Sequence, residues 1–280
     1  ILCFLIIKKI FKGLGLSLVV AFFAAISPLS IQFSRVGFES NVAVFLNLLG
    51  LYLFLKGLKN SRYFFGSAIA FVFSMLCYQG SKIFVPIILI WPFLFFKKQV
   101  KVDRNLFLSL VIVVTAGIAI YYSTFFLGQS DRLAAQNLFA YKRDQSRIDL
   151  ISKENGLQPG TFQFKALHGE WWEFVRTLLN HYLIYFSPDT LFVEGDYSER
   201  HNVPDLGILN YYGLLLIPFG FYLLWMKKEP EKRIILFWLF VTTIPAVLSR
   251  DLISMVRALN LMFPFAVLEV IFSIILTFKH

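Results

Sequence analysis

The residues of this chain best suited to chemistry are charged groups at the borders of long apolar runs. Arg35 and Glu39 stand four apart in Ser34-Arg35-Val36-Gly37-Phe38-Glu39, directly after a run broken by Ser27-Pro28 and directly before the next run. On a single helix the two would share a face. A charge at such a border is held toward a protein interior, because moving it into lipid costs about 2.5 to 3.5 kcal/mol even on the mildest scale. The plainer alternative is a local ion pair fixing a tight turn. Lys82 follows in Tyr78-Gln79-Gly80-Ser81-Lys82, a turn short enough to hold it near a membrane interface. It suits neutralisation of a lipid phosphate, or simple snorkelling to headgroups. Further on, Ser187-Pro188-Asp189, Gly195-Asp196 and Arg200-His201 concentrate acid, base and turn residues. Asp196 suits a sugar hydroxyl or a cation, and Arg200 and His201 suit phosphate. A solvated, turn-rich loop is the bland reading of the same residues. Ser249-Arg250-Asp251 and Arg257 complete the set. Together Arg35, Lys82, Arg200, Arg250 and Arg257 match the needs of an anionic headgroup, since guanidinium forks fit phosphate oxygens.

The elements that must position these groups are apolar spans. Of the 280 residues, 58% are hydrophobic and 33 are Phe, more than a soluble domain normally carries. Basic clusters alternate with apolar runs: Lys8/Lys9/Lys12, Lys56/Lys59/Arg62, Lys97/Lys98/Lys101/Arg104, Lys227/Lys228/Lys232/Arg233 and Lys279. Short Lys- and Arg-rich loops stay in the cytoplasm, so the loops between them face outward. The net charge of +10 is therefore a mark of topology and not of nucleic-acid binding. The expected fold is all-α, a polytopic transmembrane bundle. Full spans are expected near 14 to 28, 42 to 55, 63 to 77, 83 to 96, 105 to 125, 209 to 226, 234 to 248 and 258 to 278, with a partial one at the start. Residues 1–127 form the first group of spans, 128–208 an extracytoplasmic loop, and 209–280 the C-terminal spans. Within the loop, Trp171, Phe174, Val175, Leu178, Leu179, Tyr182 and Phe186 fall on one face of a helix over 171–186, with Glu173, Thr177 and Asn180 opposite. That pattern fits a helix lying in the membrane interface, or an ordinary amphipathic cap on the bundle.

Other chemistries find no support. His168-Gly169-Glu170 lacks the Pro-Cys-x-x-Cys that a zinc deaminase needs. No Walker loop, dinucleotide fingerprint, Gly-x-Ser-x-Gly elbow or His-Glu-x-x-His is present. The four His have no metal-site spacing, so no metal ligand is expected. Cys3 and Cys77 lie inside apolar runs, where a thiol behaves as a small hydrophobe.

The residues resemble bacterial integral-membrane glycosyltransferases of the GT-C class, related to protein O-mannosyltransferases and aminoarabinose transferases. The resemblance rests on Ile26-Ser27-Pro28 leading to Phe33 through Asn41, on Gly50-Leu51-Tyr52-Leu53-Phe54, and on Tyr78 to Pro86. It continues through Ser187-Pro188-Asp189, Gly195-Asp196 and Arg200-His201, and ends with Ile244-Pro245 and Arg257. It implies an inverting transfer of a sugar from a polyprenyl-phosphate carrier to an acceptor on the outer face of the plasma membrane. It also implies supporting catalytic roles for Glu39 and Arg35, by position. Lys82, Tyr78, Asp196, Arg200, His201 and Arg257 are the matching candidates for substrate binding. Some relatives bind a divalent cation, for which no ligand set can be placed here. The main catalytic acid of such enzymes sits in a first outer loop. Because the chain opens at Ile1 with an apolar run far below the roughly 20 residues of a span, that loop is expected upstream of it. Two alternatives remain open: an O-antigen ligase or polymerase, and a transporter or flippase of lipid-linked glycans. The second would be marked by inverted repeats and by ionisable residues at mid-span, and the spans read as almost free of mid-span charge.

Overall fold

A computed structural model describes residues 1–95, 103–126, 145–156, 158, 161–198, 200–201, 206–226, 229–249 and 251–277. Lys97, Lys98, Lys101, Lys227, Lys228, Arg250 and Lys279 of the expected basic and cationic clusters lie outside them. Among the described residues the fold is all-α, without a strand. The first group of helices is α1 (Leu2–Phe11), α2 (Leu14–Ile26), α3 (Pro28–Val36), α4 (Glu39–Gly57), α5 (Tyr63–Cys77), α6 (Gln79–Ile88), α7 (Trp91–Phe95) and α8 (Arg104–Phe126). After these come α9 (Gln145–Asn155), α10 (Phe162–His168), α11 (Glu170–Ile184) and a π-helical turn, Asp189–Val193. The remainder is α12 (Gly213–Met226), α13 (Pro230–Val241), α14 (Ile244–Val247), α15 (Met255–Ala258), a 3-10 turn at Leu259–Leu261, and α16 (Met262–Thr277).

The helices form two packed groups. In one, α4 and α5 run side by side with α8 against α5; in the other, α2, α12 and α16 pack together, and α1 touches both α2 and α4. Small residues set the close approaches, as expected where lipid supplies no hydrophobic drive between helices. A Cβ on Gly50 would lie 2.8 Å from the Phe71 ring, and Gly57, two turns on, meets Phe64 in the same way. Ser67 Oγ donates to the Gly50 carbonyl at 2.8 Å across the same seam. Gly220 of α12 sits directly on the Leu268 carbonyl of α16. A side chain there must push two backbones apart, so Gly220→Leu is expected to abolish the monodisperse, folded peak in detergent size-exclusion chromatography, whereas Phe219→Leu, on the exposed face, keeps it.

Large apolar side chains on the outside, among them Phe22, Phe73, Ile118, Leu215 and Trp225, are exposed and mark a lipid-facing surface. The expected eight full spans are not all recovered as single long apolar helices among the described residues. Among the described residues, two helices can by length and composition cross a membrane alone, Glu39–Gly57 and Arg104–Thr124, or three if the bent pair α2 and α3 is one span. Several others are interrupted: α2 and α3 meet at 56° at Ser27-Pro28, and Pro86 and Pro218 lie inside α6 and α12. Broken helices survive at membrane depth where neighbouring protein satisfies the freed backbone groups. One expectation about charge also needs correcting. Glu269 lies inside α16, only 3% exposed, so the last apolar run is not free of mid-span charge.

The alternation of loops reappears as two distinct ends. At one end Lys9 feels the charges of Lys56 and Lys59, Lys232 lies over the Phe11 ring at 5.6 Å, and Asn105 donates to Ser61 at 2.8 Å. The basic segments thus gather together. The segments around Glu39, Tyr78, Asp196 and Arg257 gather at the other end.

Candidate functional site

The expected outer loop 27–41 is mostly helix. Pro28 opens α3 with its preset φ, and Gly37 closes it in the left-handed region at φ 71°. Phe38 is extended and α4 begins at Glu39, which therefore sits in the first turn of a new helix, where a carboxylate is favoured by the dipole. Arg35 and Glu39 consequently do not share a helical face. Both are exposed, and among the described residues no ion pair joins them.

Tyr78 is the single residue between α5 and α6, extended at φ −145° and ψ 133°. Its ring lies over Gly80, where a Cβ would come within 2.7 Å of it, with Pro245 on the far side. Its phenol is pushed up by burial, with Arg257 drawing it down and Glu39 pushing it up. Arg257 and Glu39 are thus near enough to Tyr78 for both charges to act on its phenol.

The segment after α11 holds this arrangement in place. Ser187 Oγ accepts from the Thr190 N–H at 3.2 Å and starts the π-helical turn, which buries Thr190, Leu191 and Phe192. Gly195, at φ 72°, then reverses the chain so that Asp196 is 5% exposed. Asp196 Oδ2 accepts from the Met255 N–H at 2.7 Å and lies 3.2 Å from His201 Nδ1, while Oδ1 accepts from the Ser198 N–H at 3.0 Å. Tyr185 Oη accepts from the neighbouring Ser254 N–H at 2.8 Å. Its phenol is raised by burial first, eased by that N–H, and feels Asp196, Arg257 and Asp251. The start of α15 is thus capped by two side chains, and α15 carries Arg257, whose Nη1 donates to Asp251 Oδ2 at 2.6 Å. His201 is clasped between Phe33, stacked at 5.9 Å, and Phe38, edge-on at 5.2 Å, so α3 is fastened to the same segment. Gln32 Nε2 reaches the Arg200 carbonyl at 3.4 Å.

Of the sequence candidates, Glu39, Tyr78 and Arg257 come together, with Asp196 and His201 behind Arg257 as its support. Asp196 is engaged by three protein groups, so holding this segment is the part its geometry shows. Arg35 and Arg200 are exposed on the rim. Lys82 is elsewhere: it lies within α6, 9% exposed, and donates to Thr124 Oγ1 of α8 at 2.9 Å, while Tyr121 Oη donates to the Lys82 carbonyl at 2.6 Å. The turn expected at 78–82 is helix from Gln79 on, so the Lys82 side chain leaves on the α8 side. A double-mutant cycle of Lys82→Met and Thr124→Val is expected to give a coupling of about 1 kcal/mol in unfolding, the double variant losing less than the sum of the two single ones. Sequence reading missed Tyr185, whose signal was an aromatic hydroxyl at the end of an apolar face, and Glu269, a lone carboxyl within an apolar run. Glu269 Oε1 is buried without a hydrogen-bond partner, against Gly213 at the start of α12. Among the described residues no cluster of His, Cys, Asp and Glu could hold a metal ion.

The chain superposes on the Archaeoglobus fulgidus oligosaccharyltransferase, solved tethered to an acceptor peptide containing the NVT sequon, with TM-score 0.52 and 18% identity. The likeness is one of fold. The match covers 99% of this chain and 37% of that protein, so the chain spans little more than a third of the neighbour's length. No protein-family model and no curated protein matches the sequence.

Proposed function

We propose that this chain is part of an inverting GT-C glycosyltransferase that moves a sugar from a polyprenyl-phosphate carrier to an acceptor on the outer face of a membrane. The observation that carries this reading is the meeting of Glu39, Tyr78 and Arg257 at the end of the bundle opposite the basic loops. That placement supports an extracytoplasmic site, since Lys and Arg mark the cytoplasmic loops. The fold likeness to an oligosaccharyltransferase, solved with an acceptor peptide, agrees with glycosyl transfer to an acceptor.

The chemistry follows from charge. As the acceptor attacks the anomeric carbon, the bond from that carbon to the carrier's phosphate oxygen breaks, and negative charge builds on the departing phosphate. Arg257, fixed by Asp251 and by the capped start of α15, is aimed to meet that charge without reorganising. Glu39 accepts hydroxyl protons of donor or acceptor, and the Tyr78 ring offers a face to the sugar. Arg35 and Arg200 steer the anionic donor from the rim. The test is release of labelled sugar from polyprenyl-phosphate donors by the full-length protein in detergent, comparing wild type with Glu39→Ala and Arg35→Ala. Turnover lost in Glu39→Ala and weakened in Arg35→Ala, with folding intact, supports the reading; no turnover by wild type with any carrier-linked sugar rejects it.

Glu269 favours a second reading, since a buried carboxyl within a span is a mark of transporters. Saturable movement of lipid-linked glycan in vesicles that is lost in Glu269→Gln would support a flippase.

A further inference from the structure

We infer that a buried polar knot of Asn47, Ser74, Ser81 and Asn260 is the positioning device of the site, setting the separation of Glu39, Tyr78 and Arg257. The inference deepens the glycosyltransferase reading and rests on it for its meaning. Ser81 and Ser74 share a hydrogen bond of 2.8 Å, Ser74 Oγ donates to Asn47 Oδ1 at 2.6 Å, and Asn47 Nδ2 donates to Asn260 Oδ1 at 3.1 Å. All four side chains are buried. Beneath them Trp238 Nε1 donates to the Asn260 carbonyl at 3.0 Å, and the Trp238 ring is wedged against Phe84 at 4.9 Å and Phe263 at 5.6 Å.

The placement of these residues connects them to the site. Ser74 lies one turn before Tyr78 and Ser81 one turn after it, so their bond spans the corner between α5 and α6 whose apex is Tyr78. Closing that corner fixes its angle and aims the ring. Asn47 lies two turns along α4 from Glu39, and Asn260 one turn beyond Arg257. Each of the three site residues therefore lies within about two turns of a member of the knot.

A role in adhesion alone is the weaker account. Hydrogen bonds between membrane helices are worth little on average, and apolar side chains of similar volume pack buried helix faces as well or better. What a directional chain of hydrogen bonds supplies, and apolar packing does not, is one register among several close alternatives. A small displacement of a reacting group is costly, about a hundredfold in rate for about 1 Å.

The experiment combines turnover with a direct probe of Tyr78. In full-length protein carrying 3-fluorotyrosine at position 78, Ser74→Ala and Asn260→Ala are expected to shift or broaden the fluorine resonance while the detergent melting temperature holds. In the unlabelled proteins kcat should fall about tenfold to a hundredfold with the donor KM nearly unchanged. Ser74→Thr, which keeps the hydroxyl, should restore both signals, and the double variant should lose no more than the worse single one. A fluorine spectrum and kcat unchanged in both alanine variants would overturn the inference, as would losses that track the melting temperature and are not restored by threonine. If wild type turns over no donor, the transferase reading fails on its own, and the fluorine spectra still decide whether the knot positions Tyr78.

Discussion

Arg257→Ala should reduce sugar transfer from a polyprenyl-phosphate donor by about 10²- to 10³-fold, the usual effect of removing one preorganised group aimed at developing charge. Arg257 lies on a helix of four residues that has little stability of its own, and its aim depends on the Asp196 and Tyr185 caps and on Asp251. The loss should appear in kcat more than in KM, because charge on the phosphate is greatest in the transition state. Arg257→Lys should recover only part of the rate, since an ammonium keeps the charge but not the fork that holds Asp251 and phosphate together. Steady-state turnover of the purified full-length variants, checked for unchanged melting, measures this. Equal loss in Asp251→Ala and Arg257→Ala would instead assign the pair to folding of the 249–257 turn.

Asp196→Ala is the second large effect, and it falls on stability. The carboxylate is 5% exposed and holds three donors: the Met255 N–H, the Ser198 N–H and His201. Truncation leaves the Met255 N–H buried without an acceptor, at about 1 to 3 kcal/mol for such a group, and removes the charge-assisted bonds as well. A total loss of about 3 kcal/mol in detergent unfolding is expected. Asp196→Asn, which keeps one acceptor oxygen, should lose less. Since the same carboxylate caps the helix of Arg257, both variants should also lose turnover, more than His201→Phe, which retains an aromatic ring between Phe33 and Phe38. An Asp196→Ala protein with wild-type melting would show that its bonds are replaced by water and carry no weight.

Much of the site was legible because charge in an apolar sequence is costly and therefore conspicuous. Glu39, Tyr78 and Arg257 stood out at run borders, and the segment 187–201 stood out by its density of turn residues and charges. Their grouping was not legible, because three separate breaks of helix decide it. Gly37 separates Arg35 from Glu39, the extended Tyr78 turns α5 into α6, and Gly195 folds Asp196 beneath the chain. Lys82 shows the same limit in reverse. Its rarity outside the basic loops was plain, yet which way it leaves α6 depends on where α8 packs, and α8 offers Thr124. The knot was overlooked for a different reason. Single Asn and Ser residues within apolar runs are common, and only their convergence from three helices and a turn sets these four apart.

The sequence by itself determined the solvent and the layout: apolar runs separated by basic loops specify a membrane bundle with two chemically distinct ends, because period and charge are local properties. It also determined which polar residues are too costly to be incidental. Tertiary structure alone decided which of them meet. A helix end has a direction only relative to its neighbours, and here glycine contacts such as Gly220 on Leu268, buried hydrogen bonds and bent helices set those neighbours at distances that no one-dimensional spacing encodes.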